Sequence, residues 1–293
     1  MYGLDDPRGL LPLYATLPAI TQCCGPRSIS TFALRRLNVR VVPAIDIQQG
    51  EVVRAVAGER LAYLPLKSKL AKSACPEDIG RALIKKCGLS LIYLADLDAI
   101  AGKDPDWDMY RRLIDNGHLL WIDAGLETSE HCQQMLQFAK EYPQVQGVIA
   151  GMESVADRAT LTQFQELIDP ELLIFSLDLK DGRPLAKDPG WKMQIALEIA
   201  IDVVQQGVGR MIVIDLSNVG MHDGPGTRKI CTQLHAKFSD LALYAGGGVR
   251  GIADLDAMAS WGCAAALISS ALHDGWIKPT EIKDFQQKNS ADP

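Results

Sequence analysis

Two short stretches of this chain carry residues suited to acid/base chemistry: Ile45-Asp46-Ile47-Gln48-Gln49-Gly50 and Leu177-Asp178-Leu179-Lys180-Asp181-Gly182. In each, an aspartate follows an apolar run and a glycine comes four residues later. Two carboxyl groups can divide a proton transfer when their surroundings keep one protonated and leave the other ionised. The simpler alternative is that each aspartate caps a loop or pairs with Arg54, Lys180 or Arg183. Recurrence of the same arrangement favours catalysis by Asp46 and Asp178.

The runs before the two aspartates, residues 41–45 and 172–177, are almost continuously apolar, as expected of parallel strands covered on both faces. Each aspartate therefore leaves the end of a buried strand. The recurrence extends further. Leu94-Ala95-Asp96-Leu97 is echoed by Val213-Ile214-Asp215-Leu216, and Ala124-Gly125-Leu126 by Gly247-Gly248-Val249. Gly151 after residues 147–150 is echoed by Ser269 after residues 265–268. Ordered echoes at similar offsets indicate a duplicated half of four strands. Strands are expected at 40–45, 91–97, 119–122, 148–150, 172–177, 211–214, 241–244 and 265–268. Helices are expected over 76–86, 105–116, 129–140, 156–168, 193–206, 228–238 and 252–261, with one more near the end. The expected fold is α/β, a single TIM (β/α)8 barrel with a half-barrel internal repeat. Residues 1–38 fall outside the repeat and read as an N-terminal extension, 39–285 as the barrel and 286–293 as a polar tail.

A chain of 293 residues with 47% apolar composition can build one large core. Its net charge of −6 argues against a general nucleic-acid or anionic-membrane surface, while allowing a local anion site. No apolar run approaches the roughly 18 residues of a membrane span. The early charges Asp5, Asp6 and Arg8 do not form a secretory signal. Seven scattered cysteines without paired metal-ligand spacing read as reduced thiols, and the expected location is cytoplasmic. No metal cluster and no cofactor are expected.

Ala245-Gly246-Gly247-Gly248-Val249-Arg250 follows strand seven and Ser269-Ser270-Ala271 follows strand eight, where barrels of this class hold phosphate on backbone N–H groups. Gly247, Gly248, Ser269 and Ser270 are therefore candidate phosphate ligands. A glycine-rich turn followed by a serine cap is the plain alternative. Gly246, Gly248 and Gly251 also match a dinucleotide fingerprint, but that motif belongs to the first βαβ unit of another fold. Arg54, Asp96, Asp215 and Ser217 are candidates for orienting substrate hydroxyls. For Asp96, Asp98 and Asp215, satisfying loop amides is an equal reading. His222 reads as a solvated loop residue.

Taken together, Val42-Pro43-Ala44-Ile45-Asp46 with Gly50 and Val52-Val53-Arg54, Leu177-Asp178 with Asp181-Gly182, Gly247-Gly248-Val249, and Ser270-Ala271-Leu272 before Gly275 resemble the histidine-biosynthesis barrel family over roughly residues 40–276. That family comprises the phosphoribosylformimino aminoimidazole carboxamide ribotide isomerase and the imidazole glycerol phosphate synthase cyclase subunit, and the Pro-Ala-Ile-Asp start is closer to the isomerase. The resemblance implies an Amadori rearrangement of an aminoaldose phosphate to an aminoketose phosphate without metal or cofactor. Asp178 would be the acid that opens the ribose ring, and Asp46 the base that takes the C2 proton.

The departures are specific. Where the isomerases read Asp-Ile-Ser-Arg-Asp-Gly-Thr after strand six, this chain has Asp215-Leu216-Ser217-Asn218-Val219-Gly220-Met221. Their first-half phosphate loop, Gly-Gly-Ile-Arg with Gly-Thr after strand four, is replaced by Asp123-Ala124-Gly125-Leu126-Glu127 and Gly151-Met152. A phosphate beside Asp123 or Glu127 would meet like charge, at about 1 kcal/mol per unit pair at 4 Å even in water. The far phosphate grip is therefore expected to be lost, leaving a phosphorylated small molecule with one phosphate as partner. This pattern resembles isomerase-related paralogues associated with tetrahydromethanopterin and one-carbon metabolism. A non-catalytic phosphosugar-binding barrel is the reading from another class, and retention of both Asp46 and Asp178 opposes it.

Overall fold

The computed structural model describes residues 39–221 and 224–290. Eight parallel strands close into a barrel: β1 (Arg40–Gln48), β2 (Leu91–Asp96), β3 (Leu119–Asp123), β4 (Val145–Gly151), β5 (Leu173–Lys180), β6 (Arg210–Asp215), β7 (Ala242–Gly246) and β8 (Cys263–Ile268). Closure comes from β8 pairing in parallel with β1, Val42 beside Leu267. The helices between them are α1 (Pro76–Ala82), α2 (Trp107–Asp115), α3 (Ser129–Glu141), α4 (Arg158–Leu167), α5 (Ala196–Gln205), α6 (Arg228–Lys237) and α7 (Ile252–Ser260), with α8 (Pro279–Ser290) after β8. The expected single barrel is the observed fold.

Local chemistry sets the helix starts. Asp106, Thr128 and Asp157 are N-caps whose side chains accept from the backbone N–H three residues on, opening α2, α3 and α4. In α1, proline stands in the first turn beside Glu77 and Asp78, and the last turn loosens into a π turn over Leu83–Cys87. The helix expected over 193–206 is α5, which starts at Ala196, and a separate short turn of helix, Pro189–Lys192, precedes it. The expected tail is also different: α8 runs past residue 285 because Ile282 and Phe285 are buried, and Gln286 Oε1 accepts from Val41 N at 3.2 Å.

Side chains alternate between two cores. One lies between strands and helices, and the other fills the barrel with Val42, Leu91, Trp121, Ile149, Ile174 and Ile212 among its members. The N-terminal end of the barrel is plugged by Arg210, whose guanidinium lies over Trp121 and Tyr244 and donates to the Tyr244 hydroxyl. Among the described residues no helix is long and apolar enough to cross a membrane.

β1 and β5 each continue past the barrel into a hairpin. Glu51–Arg54 folds back on β1, and Arg183–Pro184 folds back on β5. Both turns have two positive-φ residues in succession, Gln49 and Gly50 at 52° and 78°, Asp181 and Gly182 at 53° and 71°. Such turns match the twist of a hairpin and favour glycine in the second position. Each is held by an acid from the neighbouring strand end: Gln49 N donates to Asp98 Oδ2 at 2.5 Å, and Gly182 N to Asp215 Oδ2 at 2.8 Å.

Gly147 tests how tightly the barrel is filled, since a Cβ there would lie 2.6 Å from both Ile174 Cδ1 and Trp121 Cδ1. Gly147→Ala should cost about 1–3 kcal/mol by overpacking, measured as a lower urea midpoint at unchanged slope.

Candidate active site

Strand alternation decides which strand-end residues reach the cavity. Val42, Ala44 and Asp46 face inward in turn on β1, as do Leu119, Trp121 and Asp123 on β3 and Ile174, Ser176 and Asp178 on β5. Three aspartates therefore converge on a cavity at the C-terminal end of the barrel, the face on which (β/α)8 enzymes carry their chemistry. A Cβ added to Gly151 would lie 3.4 Å from Asp178 Oδ2 and 3.7 Å from Asp123 Oδ2, so these two carboxyls share the space above that glycine.

Each acid is held differently. Asp178 is 8% exposed, and its Oδ1 accepts from the Ser176 hydroxyl at 2.6 Å. Asp123 accepts from Gly125 N at 3.2 Å through Oδ1 and from the Tyr93 hydroxyl at 3.0 Å through Oδ2. A fourth acid, Glu153 after β4, also lines the cavity and is ion-paired with Arg60 from the loop that follows the first hairpin.

Burial pushes the Asp46 carboxyl up to about 6, with the Arg60 charge opposing and the Glu153 charge adding. Burial and then Glu153 push Asp123 up to about 7, against its two hydrogen bonds and Arg60. Asp178 is raised well above the ordinary carboxylate range by burial first and Glu153 next, with Ser176 opposing and Asp123 adding. Tyr93 is likewise held well above its usual range, by burial and then by the charges of Asp123, Asp178 and Asp46. Asp46 and Asp178 are thus both raised, with Arg60 opposing the shift at Asp46 and the Ser176 hydroxyl opposing it at Asp178.

After β7 and β8, Gly247, Gly248, Ser269 and Ser270 also line the cavity, with Gly247 and Gly248 at φ of 87° and 81°. A Cβ on Gly248 would meet Gly224 O at 2.5 Å, so glycine is required by backbone packing as well as by φ. The short helix Ser270–His273 starts there.

The remaining candidates divide. Arg54 lines the cavity, but both its terminal nitrogens donate to Asp274 at 2.7 Å, which ties the first hairpin to the helix after β8. Asp96, Asp215 and Ser217 are corrected to supports. Asp96 accepts from Ala99 N, Asp106 N and the Tyr110 hydroxyl. Asp215 accepts from Ser217 N, Asp181 N and Gly182 N, and Ser217 Oγ accepts from Asp181 N at 2.8 Å. On β2 and β6 it is Tyr93 and Ile214 that line the cavity, so Asp96 and Asp215, an odd number of residues further, point away from it. Glu127 pairs with Lys187 and Met152 is fully buried, so of the altered first-half loop only Asp123 lines the cavity. His222 and residues 1–38 lie outside the described residues.

Sequence reasoning passed over Tyr93, Ser176, Glu153, Arg60 and Tyr63. Ser176 stands two residues before Asp178 on the same inward face, and Tyr93 two after Leu91, so alternation could have found both. Glu153 occupies the repeat position of Ala271. Arg60 and Tyr63 lie in a loop with no pattern to mark them. Among the described residues no group of three or more His, Cys, Asp or Glu is placed to hold a metal.

A (β/α)8 barrel with raised carboxyls at its C-terminal mouth and glycine- and serine-bearing turns lining the same cavity defines a class suited to acid/base chemistry on small molecules. Residues 40–278 match the family of histidine biosynthesis proteins, and the chain belongs to that family. An uncharacterized protein of Methanocaldococcus jannaschii is 26% identical over 83% of this chain and 97% of its own length. A 1-(5-phosphoribosyl)-5-((5-phosphoribosylamino)methylideneamino) imidazole-4-carboxamide isomerase of Chloroherpeton thalassium is 27% identical over 80% of this chain and 86% of its own. An isomerase of the same name from Desulfitobacterium hafniense strain Y51 is 28% identical over 81% and 93%.

Raised carboxyl pKa values have a stability consequence. A carboxyl whose folded pKa lies above its unfolded value binds protons more tightly when folded, so stability falls as pH rises from about 4 through the folded pKa. Asp123→Asn should stabilise the protein by about 2–4 kcal/mol at pH 8, where the wild-type carboxylate is buried and ionised. The gain should vanish near pH 4, measured by urea denaturation at both pH values.

Proposed function

We propose that this protein is an aldose-ketose isomerase that carries out an Amadori rearrangement on a phosphorylated aminosugar. The observation that supports this most is the placement of Asp46 and Asp178, two inward-facing carboxyls at equivalent places in the duplicated barrel that line one cavity and are both raised by burial. Family membership and relatives named as isomerases of a phosphoribosylamino compound point the same way.

In this reading the substrate phosphate sits against Gly247, Gly248, Ser269 and Ser270, where backbone N–H groups and two hydroxyls can receive it. Asp178, whose carboxyl is raised well above the ordinary range by burial and by Glu153, is the acid in this reading and delivers its proton to the ring oxygen as the C1–O bond breaks, leaving an open-chain iminium at C1. Asp46, ionised above about pH 6, then removes the C2 proton. The C2–H electron pair forms the C1–C2 double bond, and the C1–N π pair returns to nitrogen. Loss of the C2 hydroxyl proton and protonation at C1 complete the aminoketose. Atoms balance, with no oxidant or reductant consumed. Ser176 restrains Asp178 through its hydroxyl, and the Asp215 and Ser217 clamp fixes the hairpin that continues from it.

The direct assay follows an N-linked 5-phosphoribosylamine by NMR as it converts to the 1-amino-1-deoxyketose. Asp46→Asn and Asp178→Asn should each lower the rate by about 10²–10⁴ while leaving binding within about threefold. Full activity in either variant contradicts the assignment. The wild-type rate should rise with pH through about 6 as Asp46 ionises and fall at higher pH as Asp178 loses its proton. A rate that is flat from pH 5 to 8 contradicts it.

A further inference from the structure

We infer that the substrate carries a single phosphate, and that its other end is neutral or cationic and lies against Asp123 and Glu153. This rests on the reading of Gly247, Gly248, Ser269 and Ser270 as the phosphate end, and it comes from comparing the two halves of this barrel with each other.

The backbone turns after β4 and β8 are the same. After β8, Leu272 N and His273 N donate to Ser269 O at 3.0 and 3.2 Å. After β4, Ser154 N and Val155 N donate to Gly151 O at 2.9 Å each. Gly151 therefore stands where Ser269 does, Met152 where Ser270 does, and Glu153 where Ala271 does. The side chains reverse the chemistry. The second-half turn presents two hydroxyls to the cavity, whereas in the first half the equivalent serine is a methionine with no exposed surface. In the same way Gly247 and Gly248 line the cavity while Ala124 and Gly125, their counterparts after β3, do not. The cavity reaches phosphate-type backbone at one end only.

Charge adds to shape. The first-half end presents the carboxyls of Asp123 and Glu153. Of the two guanidinium groups in the cavity wall, Arg60 is paired with Glu153 and Arg54 with Asp274. A phosphate placed there would lie beside like charge, which at 4 Å weakens binding about fivefold per unit pair in water and more in a closed site. An amine or hydroxyl is suited instead, because a carboxylate that already accepts two hydrogen bonds, as Asp123 does, keeps lone pairs for more. Tyr93 and Tyr63 add aromatic surface that favours a cation.

The test titrates the full-length protein by calorimetry with the two-phosphoribosyl compound named for the relatives, and with each of its two forms lacking one phosphate. Removal of one particular phosphate should weaken binding tenfold or more, and removal of the other less than tenfold. Asp123→Asn should raise affinity for the two-phosphate compound about fivefold and weaken binding of the favoured one-phosphate form, and the reverse pattern counts against the single-phosphate inference. If removing either phosphate weakens binding tenfold or more, the single-phosphate inference is overturned while the proposed isomerase survives. If neither removal matters, the phosphate cradle is not one, and both readings fall. Ser270→Asp should abolish the phosphate-dependent part of binding, and unchanged binding in that variant counts against both.

Discussion

The alternation of side chains along β1, β3 and β5 is the constraint on which the site depends. Because every second residue faces the barrel interior, the positions that carry Val42 and Ala44, Leu119 and Trp121, and Ile174 and Ser176 inward must also carry Asp46, Asp123 and Asp178 inward at the strand ends. The lower barrel is filled by apolar side chains and sealed by Arg210 between Trp121 and Tyr244. Above that dry floor the carboxyls lose solvation, and burial leads the upward shift of all three. Buried acids such as Asp123 and Asp178, with half-buried Asp46 beside them, oppose folding, which is the kind of local conflict expected where function requires it.

The same parity explains what the sequence could and could not reveal. The fold was legible because strand and helix segments alternate and the two halves echo each other, and Asp46 and Asp178 were legible because they recur with their Gly50 and Gly182 turns. Asp96 and Asp215 also end apolar runs, yet each is one residue out of the inward register, and each is fully engaged with backbone N–H groups. A strand-end acid alone does not distinguish the two fates. The inward face of the strand does, and on a strand apolar on both faces the sequence does not mark it. Glu127 and Asp123 read alike as acids in an altered loop, but Glu127 pairs with Lys187 while Asp123 faces the cavity. Arg60 and Tyr63 reach the site from a long loop, a tertiary placement that no local pattern encodes.

Duplication gives the molecule an internal control. The hairpins after β1 and β5 use the same turn, and the turns after β4 and β8 share their hydrogen bonds. Differences between halves are therefore differences of side chain on a common backbone. Ser270 against Met152 and Ala271 against Glu153 turn one end of the cavity from a donor-rich cradle into an acidic wall. The two inward-facing aspartates recur across the repeat while the side chains at the two ends of the cavity differ.

The central claim is that Asp46 and Asp178 are two raised acids in one cavity. Titration of the aspartate carboxyl carbons by 13C NMR, with Asp46→Asn and Asp178→Asn to assign the signals, measures this directly. The account predicts a midpoint near 6 for Asp46 and one well above the ordinary carboxylate range for Asp178. Two ordinary midpoints near 4 would contradict it, because neither carboxyl would then hold a proton at neutral pH to deliver.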